Sequence, residues 1–517
     1  LAYDSESDRI IMVESAGQGD DVYSYNYNTD TWTQMGDYPD NDVSPIALAY
    51  DSESDRIIMV ESTGQGDDVY AYKEKFPEWS YETDDNVNAV AVSADGEYIA
   101  IGSNDDYVYL FKKDSSTPLW SYETGDEVVS IDISADGEYI VAGSEDKKVY
   151  LFDKDNSTPL WSRTTWYNPV VSISADGEYI ATGNADAWVY LFSKSSSTPV
   201  WQKKLEQTVD SIAISANGEY IAVGTRDNQI YRFSKDSSTP LYQYDTGGDV
   251  RTIAISADGE YVIAGSYDDK IYVFDKDNDS TDWTYDTDSD VLSVDISADG
   301  EYLVSVSSAG GSGANKKLRL FGIDSNTPIW TKSLSGEPNS VTISADGEYI
   351  VVGLGSGEVY FFDKDSSTPV WSYDTENDVH SVSVSADGKY ITAGSTDDKV
   401  YTFKNSLASR PSLFPYGPRN GAEVERPVTL AWFAGSDDRS NLTFDVYFGT
   451  SSNPSTKVAD DITALSYSPG NLATGQKYYW KVVATDPSES KTSSVMNFTY
   501  TGAMWISELG TYVYDVA

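Results

Sequence analysis

The sequence predicts an all-β fold in which one four-stranded unit is repeated eight times. An Asp-Gly pair returns along the chain at intervals of 40 or 41 residues, with one interval of 47. Strand-forming runs rich in Val, Ile and Tyr surround each pair, and in most units a Pro and an aromatic residue follow. A period in the forties indicates a repeat architecture. The pairs begin at Asp95, Asp136, Asp176, Asp258, Asp299, Asp346 and Asp387, with Asn217 in the fourth place.

Each unit contains four short strand patterns, which are clearest around residues 119–150. The runs are Leu119–Glu123, Val128–Ser134, Tyr139–Ser144 and Lys148–Phe152. Asp136 and Gly137 suit a tight hairpin turn, because Gly adopts positive φ and Asp tolerates it. Asn217 fits the same turn. The recurring segment is therefore predicted to be a hairpin with a structural role.

The fourth strand of each unit carries an aromatic residue and is predicted to be the outer edge, where a Pro costs little. The first such strand, Trp79–Glu82, precedes the first hairpin, and the last unit ends after Val400–Lys404 without one. We therefore expect these two segments to pair and close the array. The aromatic residues are Trp79, Trp120, Trp161, Trp201, Tyr242, Trp283, Trp330 and Trp371.

Composition limits the class of protein. The chain has 84 acidic and 35 basic residues and a net charge of −49, a surface that repels nucleic acid and anionic lipid and favours divalent cations. It has no Cys and one His, which excludes disulfides, thiol chemistry and most zinc sites. No apolar run reaches the roughly 18 residues of a membrane-spanning helix. The first residue is not Met and lies inside a strand pattern, so we expect a processed or truncated N-terminus.

The segment ISADGEYIVAGSEDKKVYLFD at residues 133–153 resembles the core of WD repeats. The resemblance covers Pro77–Asn405 and extends to bacterial and archaeal surface propellers, although the Gly-His and Trp-Asp dipeptides of WD repeats are missing. It implies an eight-bladed β-propeller over residues 76–405, in which each four-stranded unit is one blade.

A different repeat occupies residues 1–75. Residues 1–23 return at 48–70 with one difference, Ala16 against Thr63. With DVYSYNYNTDTW between them, they resemble kelch repeats, although Glu14 and Ser15 replace the usual Gly-Gly pair. One and a half units cannot close a ring. We expect these strands to be completed by more repeats upstream or by another chain.

The C-terminal part changes character after a Pro/Gly linker at residues 406–421. Residues 422–500 contain about seven short strand patterns and resemble a fibronectin type III domain. The resemblance implies that Trp432 is the buried Trp, and that Leu472 and Tyr478 form a corner in which the Tyr hydroxyl holds a preceding turn. Residues 501–517 are expected to begin a further unit or to form a C-terminal assembly strand.

Catalysis is not predicted. Paired carboxylates can hydrolyse glycosides, but most Asp residues here recur at the same turn in every unit, which is typical of a structural role. The sequence contains no nucleophile elbow, phosphate loop, HExxH or Cys/His cluster. A propeller enzyme that acts on polysaccharide, or a quinone-type dehydrogenase, is the alternative.

The positions at which the units differ are the candidate ligand contacts. Asp132 and Asp295 replace the Ala, Ser or Thr of the other units and are predicted to face the channel from opposite sides. They indicate a cation or a polar ligand, with water-filled packing as the alternative. A ring at the channel mouth is predicted from Asn88, Asp210, Arg251, Asn339 and His380, together with Val129, Pro169 and Leu292.

Three weaker signals complete the candidates. No cofactor is predicted except Ca²⁺, for which Asp275, Asp277 and Asp279 alternate as in a calcium loop but lack its Gly and closing Glu; a solvated turn is the alternative. The insertion at residues 307–320 offers Lys316, Lys317 and Arg319 to an acidic neighbour, or is a tolerated surface loop. Asn156, Asn278, Asn441 and Asn497 are glycosylation candidates in an exported protein.

These features favour a non-enzymatic extracellular protein at a prokaryotic or archaeal cell surface. We expect a structural or adhesion protein, a subunit of a filament or layer that assembles through its propeller and β-sandwich domains. The expected partners are copies of itself, other surface proteins or glycans, with head-to-tail contact between the N-terminal segment and the next subunit's C-terminal region. Neither nucleic acid nor a membrane span is expected. A WD-type scaffold for other proteins is a further alternative.

Overall fold

The computed structural model of the 517-residue chain is all-β. Every regular element in the described residues is a β-strand. The structure describes residues 2–4, 9–15, 20–26, 31–37, 45–51, 56–62, 67–72, 77–276, 280–309, 315–405, 412–417, 422–424, 428–435, 442–470, 472–485, 490–493 and 495–501.

The N-terminal strands form two antiparallel sheets in which strand order follows chain order. The four-stranded sheet contains β1 (Ala2–Asp4), β2 (Arg9–Ser15), β3 (Asp20–Asn26) and β4 (Thr31–Asp37). The three-stranded sheet contains β5 (Pro45–Asp51), β6 (Arg56–Ser62) and β7 (Asp67–Tyr72). The kelch-like character of these units stays a prediction.

Residues 79–404 form eight four-stranded antiparallel sheets within the described part of the chain. This confirms the predicted repetition of four-stranded units. The strands are β8 (Trp79–Glu82), β9 (Val87–Val92), β10 (Tyr98–Ser103), β11 (Tyr107–Lys112), β12 (Trp120–Glu123), β13 (Val128–Ile133), β14 (Tyr139–Ser144), β15 (Lys148–Asp153), β16 (Asn156–Thr164), β17 (Pro169–Ile173), β18 (Tyr179–Asn184), β19 (Trp188–Ser193), β20 (Ser196–Lys204), β21 (Val209–Ile214), β22 (Tyr220–Thr225), β23 (Gln229–Ser234), β24 (Ser237–Asp245), β25 (Val250–Ile255), β26 (Tyr261–Ser266), β27 (Lys270–Asp275), β28 (Trp283–Asp286), β29 (Asp290–Ile296), β30 (Tyr302–Ser308), β31 (Lys317–Gly322), β32 (Trp330–Ser333), β33 (Pro338–Ile343), β34 (Tyr349–Leu354), β35 (Glu358–Asp363), β36 (Trp371–Asp374), β37 (Val379–Val384), β38 (Tyr390–Ser395) and β39 (Lys399–Lys404).

The recurring Asp-Gly segment forms the hairpin between the innermost strand and the second strand of each sheet. Oδ1 of Asp136 accepts hydrogen bonds from Oγ of Ser134 at 2.7 Å and from the N–H of Glu138 at 3.0 Å. Gly137 has a φ of 71°, which is unstrained for Gly alone. Asn217 accepts the equivalent bonds at 2.9 and 3.0 Å, as its place in the repeat predicts. The carboxylate of the recurring Asp is therefore part of the turn.

The hairpins of neighbouring sheets contact each other along the array. The Gly of each hairpin lies against the Tyr ring of the hairpin before it, so that a Cβ on Gly137 would overlap Tyr98. Backbone bonds run in the same direction, with the N–H of Ala94 donating to the carbonyl oxygen of Ala135 at 3.0 Å. The same bond joins Ala135 to Ala175, Ala175 to Ala216, Ala216 to Ala257, Ala257 to Ala298, Ala298 to Ala345 and Ala386 to Ala94.

A hydrophobic core fills the space between neighbouring sheets. Phe192 on β19 is fully buried, and Trp161 on the outer strand of the preceding sheet packs 5.3 Å from it, measured between ring centres. Nε1 of Trp161 donates to the carbonyl oxygen of Lys194 at 2.9 Å. Burying one such side chain contributes about 1.5–3 kcal/mol. Equivalent Trp bonds run from Trp79 to Lys113, Trp120 to Lys154, Trp201 to Lys235, Trp283 to Ile323 and Trp330 to Lys364.

The first strand of the array completes its last sheet. β8 pairs antiparallel with β39, with Trp79 opposite Thr402 and Glu82 opposite Lys399. This confirms the predicted pairing of Trp79–Glu82 with Val400–Lys404. The innermost strand β37 lies next to β9, so the order of innermost strands returns to its start.

The C-terminal strands form two sheets around one core. Trp432 and Trp480 are fully buried in it, and Leu472 packs against it. The hydroxyl of Tyr478 accepts a hydrogen bond from the N–H of Ala473 at 2.9 Å. The buried Trp and the tyrosine-held turn are thus confirmed, whereas the fibronectin type III assignment stays a prediction. The strands are β40 (Ser412–Gly417), β41 (Ala422–Val424), β42 (Leu430–Gly435), β43 (Thr443–Gly449), β44 (Lys457–Ile462), β45 (Ser466–Tyr467), β46 (Gln476–Thr485), β47 (Ser490–Thr492) and β48 (Met496–Tyr500).

Part of the predicted linker at residues 406–421 is a strand. β40 pairs antiparallel with β42, with Leu413 opposite Ala434. The prediction of a linker over the whole segment was wrong, because Leu413, Phe414 and Tyr416 favour a strand despite the surrounding Pro residues. In the described part of the chain, no helix has the length and apolar character to cross a membrane.

Candidate functional site

The loops at one edge of the eight sheets differ most between units, and we call this surface the loop face. It consists of the segments that join each outer strand to the next innermost strand, and of the turns between second and third strands. Hydrogen bonds hold the two kinds of loop together. The N–H of Asn104 donates to the carbonyl oxygen of Asn86 at 2.9 Å, and that of Glu145 to Glu127 at 2.8 Å. The innermost strands begin at this face, so their first residues surround its centre.

Threonine hydroxyls hold the backbone of the loop face in place. Oγ1 of Thr124 lies 2.7 Å from the carbonyl oxygens of both Asp106 and Asp126, so it joins one sheet to the loop of the next. The variable side chains therefore stand on a backbone that is the same in most units. The equivalent residues are Thr83, Thr165, Thr246, Thr287 and Thr375.

The predicted ring residues lie at the beginnings of the innermost strands. Nδ2 of Asn339 donates to the carbonyl oxygen of Val379 at 3.1 Å, which links two neighbouring sheets. Asn88 contacts the side chain of Asn104 and lies 3.4 Å from the carbonyl oxygen of Val128. The two Asn residues thus serve packing between sheets, whereas His380 is exposed. The apolar members are Val129 in β13, Pro169 in β17 and Leu292 in β29.

Asp210 lies between two arginines on the loop face. Its carboxylate accepts hydrogen bonds from Nη2 of Arg226 at 2.9 Å and from Nη1 of Arg251 at 3.1 Å. The Asp210 side chain is 8% exposed, while those of Arg226 and Arg251 are 53% and 36% exposed. The guanidinium of Arg251 lies 5.2 Å from the ring centre of Tyr267. We call these four residues the arginine patch.

The arginine patch joins two predicted residues to two that were not predicted. Asp210 and Arg251 were expected at the channel mouth, but Arg226 and Tyr267 lie in turns between second and third strands. Hydrogen bonding to Asp210 raises the pKa of Arg226 and keeps that group charged. The signal that could have identified both residues is their variation between units, because Glu145 and Thr396 hold the equivalent places elsewhere.

Asp132 and Asp295 each connect two neighbouring innermost strands. Oδ2 of Asp132 accepts hydrogen bonds from the N–H of Ile173 at 2.9 Å and from Oγ of Ser172 at 3.2 Å. Asp295 accepts the equivalent bonds from the N–H of Ile343 at 3.0 Å and from Oγ1 of Thr342 at 2.9 Å. Both carboxylates are held by the protein itself, which favours the packing interpretation over a cation site.

Burial raises the pKa of both acids. Desolvation raises the pKa of Asp132 to about 6, although the hydrogen bonds from Ile173, Ile133 and Ser172 oppose the rise. Desolvation also raises the pKa of Asp295. In the last sheet Ser383 occupies the same position, and its Oγ accepts from the N–H of Val92 at 3.1 Å. A neutral hydroxyl is therefore sufficient for the link between strands.

The basic insertion offers fewer cations than predicted. Arg319 is 2% exposed, and it donates to Oγ of Ser307 at 2.7 Å and to the carbonyl oxygen of Thr287 at 3.0 Å. The prediction that Arg319 contacts a neighbour was therefore wrong. Lys316 and Lys317 are partly exposed, and Nζ of Lys316 lies 3.8 Å from Glu337.

The fold explains why Arg319 is buried. It takes the place of a Tyr that bonds a turn Asp in other sheets, as Tyr109 does with Asp105 at 2.6 Å. The insertion replaces that turn, so the buried position holds a side chain that reaches Thr287 instead.

Two exposed aromatic residues on the loop face were not predicted. Trp166 and Tyr167 lie between β16 and β17 and are 70% and 49% exposed. Trp166 has a φ of 73°, a conformation that bulky residues rarely adopt. Gly125 and Gly247 hold the equivalent place in other units. The signal in the sequence was a large aromatic residue at a place that Gly, Ser, Asp or Glu holds in the other units.

The remaining candidates are scattered. Asp277, Asp279, Asn278 and Asn441 lie outside the described residues, and Asp275 ends β27. Asn156 is exposed at the start of β16, and Asn497 lies partly buried in β48. Of the described candidates, Asp275, Asn156 and Asn497 therefore lie in strands of three different sheets.

Three carboxylates at the C-terminal sheets come close enough together to hold one ion, those of Asp445, Asp460 and Asp461. Nζ of Lys457 already lies 2.5 Å from Asp445 and 2.7 Å from Asp460. The ammonium group of Lys457 therefore offsets part of the negative charge of the cluster.

Comparison with known proteins identifies the repeats. Residues 77–112 and 116–153 match the WD domain, G-beta repeat family. Residues 185–315 and 288–429 match the family described as outer membrane protein assembly factor BamB. The chain therefore carries WD40 repeats and a BamB/PQQ-like β-propeller repeat region.

Solved structures agree on the fold. The crystal structure of the computationally designed Ika8 protein is similar with a TM-score of 0.54 and 15% sequence identity, over 63% of this chain and 98% of that one. In all, 1377 solved chains match, so the fold alone does not decide the function. No curated protein matches the chain.

Proposed function

We propose that this protein is a non-enzymatic extracellular structural or adhesion protein, a subunit of a cell-surface filament or layer. In this proposal the eight sheets of residues 79–404 form a closed eight-bladed propeller. A kelch-like segment precedes the propeller and a fibronectin type III-like domain follows it. The pairing of β8 with β39 and the contact of β37 with β9 support closure.

The use of the carboxylates supports a role without catalysis. A catalytic acid or base needs a side chain free to exchange a proton with a substrate. The recurring Asp residues instead accept bonds within their own hairpins, as Asp136 does from Ser134 and Glu138. Asp132 and Asp295 are held between neighbouring strands. We therefore expect neither hydrolase nor dehydrogenase turnover from the purified protein.

The observation that carries the assembly proposal is the three-stranded sheet β5–β7. Its neighbour β1–β4 and all eight sheets of residues 79–404 have four strands within the described residues. An uncovered strand edge presents unpaired N–H and C=O groups and acts as a template for another strand. A protein with such an edge can cover it by association with a neighbour.

The assembly proposal can be tested with a deletion. The full chain should form particles larger than a monomer in sedimentation velocity, and electron microscopy should show filaments or layers. The variant that lacks residues 1–75 should remain a folded monomer, because the cores of the eight sheets lie entirely within residues 87–403. A full chain that stays monomeric at high protein and salt concentration contradicts the proposal, as does normal assembly of the deletion variant.

The location has its own test. A membrane-impermeant biotin reagent applied to intact cells of the source organism should label lysines of this protein, such as the exposed Lys204. A cytosolic protein in the same cells serves as the control for intact membranes. Labelling only after lysis contradicts an extracellular location.

A protein-binding scaffold is the second candidate function. The arginine patch, Trp166 and Tyr167 give the loop face exposed cations and aromatic rings on a strongly acidic protein. Such residues are enriched at protein interfaces. The double variant Arg251→Gln with Trp166→Gly should lose partners that copurify with the wild-type chain. Unchanged copurification removes this candidate.

A further inference from the structure

Strands β3 and β7 have nearly the same sequence, but they have different neighbouring strands. Asp20–Tyr25 and Asp67–Tyr72 differ only at Ser24, which Ala71 replaces. β4 covers the outer edge of β3, with Asp21 opposite Asp37 and Tyr25 opposite Trp32. No described strand covers β7. The backbone of β7 can therefore form the pairing that its edge lacks.

The strand that should cover β7 is used elsewhere. In the N-terminal repeat Leu48 corresponds to Leu1, and by the same offset Trp79 corresponds to Trp32. Yet residues 79–83 read WSYET, the same as residues 120–124 of the eight-sheet array, and β8 pairs with β39. β8 therefore belongs to the N-terminal repeat by its position in the sequence and to the eight-sheet array by its pairing. Because β8 pairs with β39, the sheet β5–β7 is left with three strands.

We propose that the β7 edge pairs with β7 of a second copy of this chain, antiparallel and about a two-fold axis. The result is one six-stranded sheet that crosses the interface. This inference rests on the proposed function, in which copies of the chain assemble, and it names the N-terminal contact. Such a contact is isologous, so a second contact elsewhere on the molecule extends the assembly.

Two-fold pairing covers the β7 edges of both copies and does not expose the edge of any other strand. The alternative partner is β4 of a second copy, because β4 already fits the nearly identical edge of β3. If β4 moved to β7 of another copy, it would leave its own β3 uncovered, so the number of open edges would not fall. Pairing β7 with β7 covers two edges and opens none.

Charge and backbone geometry set the strand direction and reduce the possible registers to two central candidates. A parallel, in-register pair would place Asp67 and Asp68 beside the same residues of the other copy, and like charges side by side destabilise a sheet. In an antiparallel pair, alternate residues direct both N–H and C=O outward. A two-fold pair must therefore place one residue opposite itself, and Val69 and Tyr70 are the central candidates.

Single cysteines in the full-length chain test this pairing, because the chain has no Cys of its own. The variants are Val69→Cys and Tyr70→Cys, treated with a mild oxidant and examined by non-reducing electrophoresis. A cysteine opposite itself forms a disulfide across the axis. We expect a covalent dimer from one of the two variants.

The N-terminal repeat supplies matched controls. Val22→Cys and Tyr23→Cys place the same substitutions in β3, where β4 already covers the edge. They should stay monomeric under the same oxidant. Failure of both β7 variants to cross-link, or equal cross-linking of the β3 variants, overturns the proposal.

Hydrogen exchange on the wild-type chain gives a second measurement without any substitution. Amides of residues 67–72 should become more protected as protein concentration rises, while those of residues 20–25 should be protected throughout. Concentration-independent exchange at β7 overturns the pairing. Assembly that persists without β7 protection also overturns it but leaves the proposed function standing. Cross-linked dimers that never associate further support the pairing and count against a filament.

Discussion

The backbone N–H of Ala386 donates a hydrogen bond to the carbonyl oxygen of Ala94 at 2.9 Å, and so joins the last hairpin of the array to the first. The two residues lie almost 300 positions apart in the sequence. The same bond links neighbouring hairpins elsewhere in the array, for example Ala94 with Ala135 at 3.0 Å. The junction between the last sheet and the first, which we call the seam, therefore has the same backbone bond as the other junctions. We expect side-chain contacts at the seam to contribute as much to stability as those at the other junctions.

Gly96→Ala should destabilise the seam. Gly96 has a φ of 71°, and a Cβ there would overlap the ring of Tyr390. We expect the free energy of unfolding to fall by about 2–4 kcal/mol, from backbone strain and overpacking together. Gly322→Ala is the control, since nothing lies within 4 Å of its added Cβ. Urea unfolding measures both variants, and equal losses would show that the seam contact is unimportant.

Asp132→Ser should remove a pH dependence of stability. The pKa of Asp132 is raised to about 6 in the folded protein from an ordinary value of 3.8, so its stabilising contribution is present below pH 3.8 and is lost as the pH rises through 6. Water reaches part of this residue, so we expect about 1 kcal/mol rather than the roughly 3 kcal/mol of an unscreened shift. Ser preserves the strand link, as Ser383 does.

Thermal unfolding of wild type and Asp132→Ser between pH 4 and 7 measures this difference. The two stability profiles should diverge as the pH falls below 6. Parallel profiles across that range would mean that Asp132 does not titrate there.

Asp210 and Arg251 should show measurable coupling. Asp210 is 8% exposed and accepts a bond from Arg251 at 3.1 Å. A double-mutant cycle with Asp210→Asn and Arg251→Gln should give about 1 kcal/mol, decreasing in 1 M salt. The control pair is Lys204 with Asp186, whose side chains are 52% and 42% exposed and whose coupling should be near zero. Equal coupling in the two cycles would contradict a special role for the arginine patch.

Arg319→Ala should be much more harmful than Lys317→Ala. Arg319 is buried and bonded to Ser307 and Thr287, so its loss leaves buried acceptors without partners. We expect the free energy of unfolding to fall by about 2–4 kcal/mol. Lys317→Ala should change it by less than about 0.5 kcal/mol. If both variants matched wild type in chemical denaturation, the burial of Arg319 would be refuted.

Tyr478→Phe should weaken the C-terminal sheets without changing their packing. The change removes the hydroxyl that accepts the N–H of Ala473 at 2.9 Å, and we expect a loss of about 1 kcal/mol. Tyr479→Phe is the neighbouring control, because alternate residues of a strand face opposite sides of the sheet. Differential scanning calorimetry of the unfolding transition of the C-terminal sheets should give different midpoints for the two variants. Identical midpoints would argue against the tyrosine-held turn.

The sequence predicted the repeated sheets well because each element carries its own local signal. The hairpin of Asp136 and Gly137 needs only the turn chemistry of its own residues, and Asn217 follows the same rule. The pairing of β8 with β39 followed from counting aromatic strands against hairpins. Each inference depended on local chemistry repeated many times, which periodicity makes visible.

The site was harder to predict because its contacts join unlike positions of different units. Asp210 and Arg251 share a position in the repeat, but Arg226 comes from a turn that the strand pattern does not place beside them. Arg319 was taken for a surface cation because charge alone does not reveal burial. Its bonds to Ser307 and Thr287 depend on the three-dimensional path of the insertion.

The identity of residues 79–83 with residues 120–124 also has a kinetic consequence. During synthesis β8 leaves the ribosome long before its native partner β39 exists. One matching edge that it can meet before then is that of β11, which in the finished protein pairs with β12. Because β8 and β12 are the same four residues, WSYE, an early chain can form this wrong pair with native-like side-chain contacts. β12 must then displace β8 before β8 can pair with β39, so that pairing competes with a trap that the repeat itself creates.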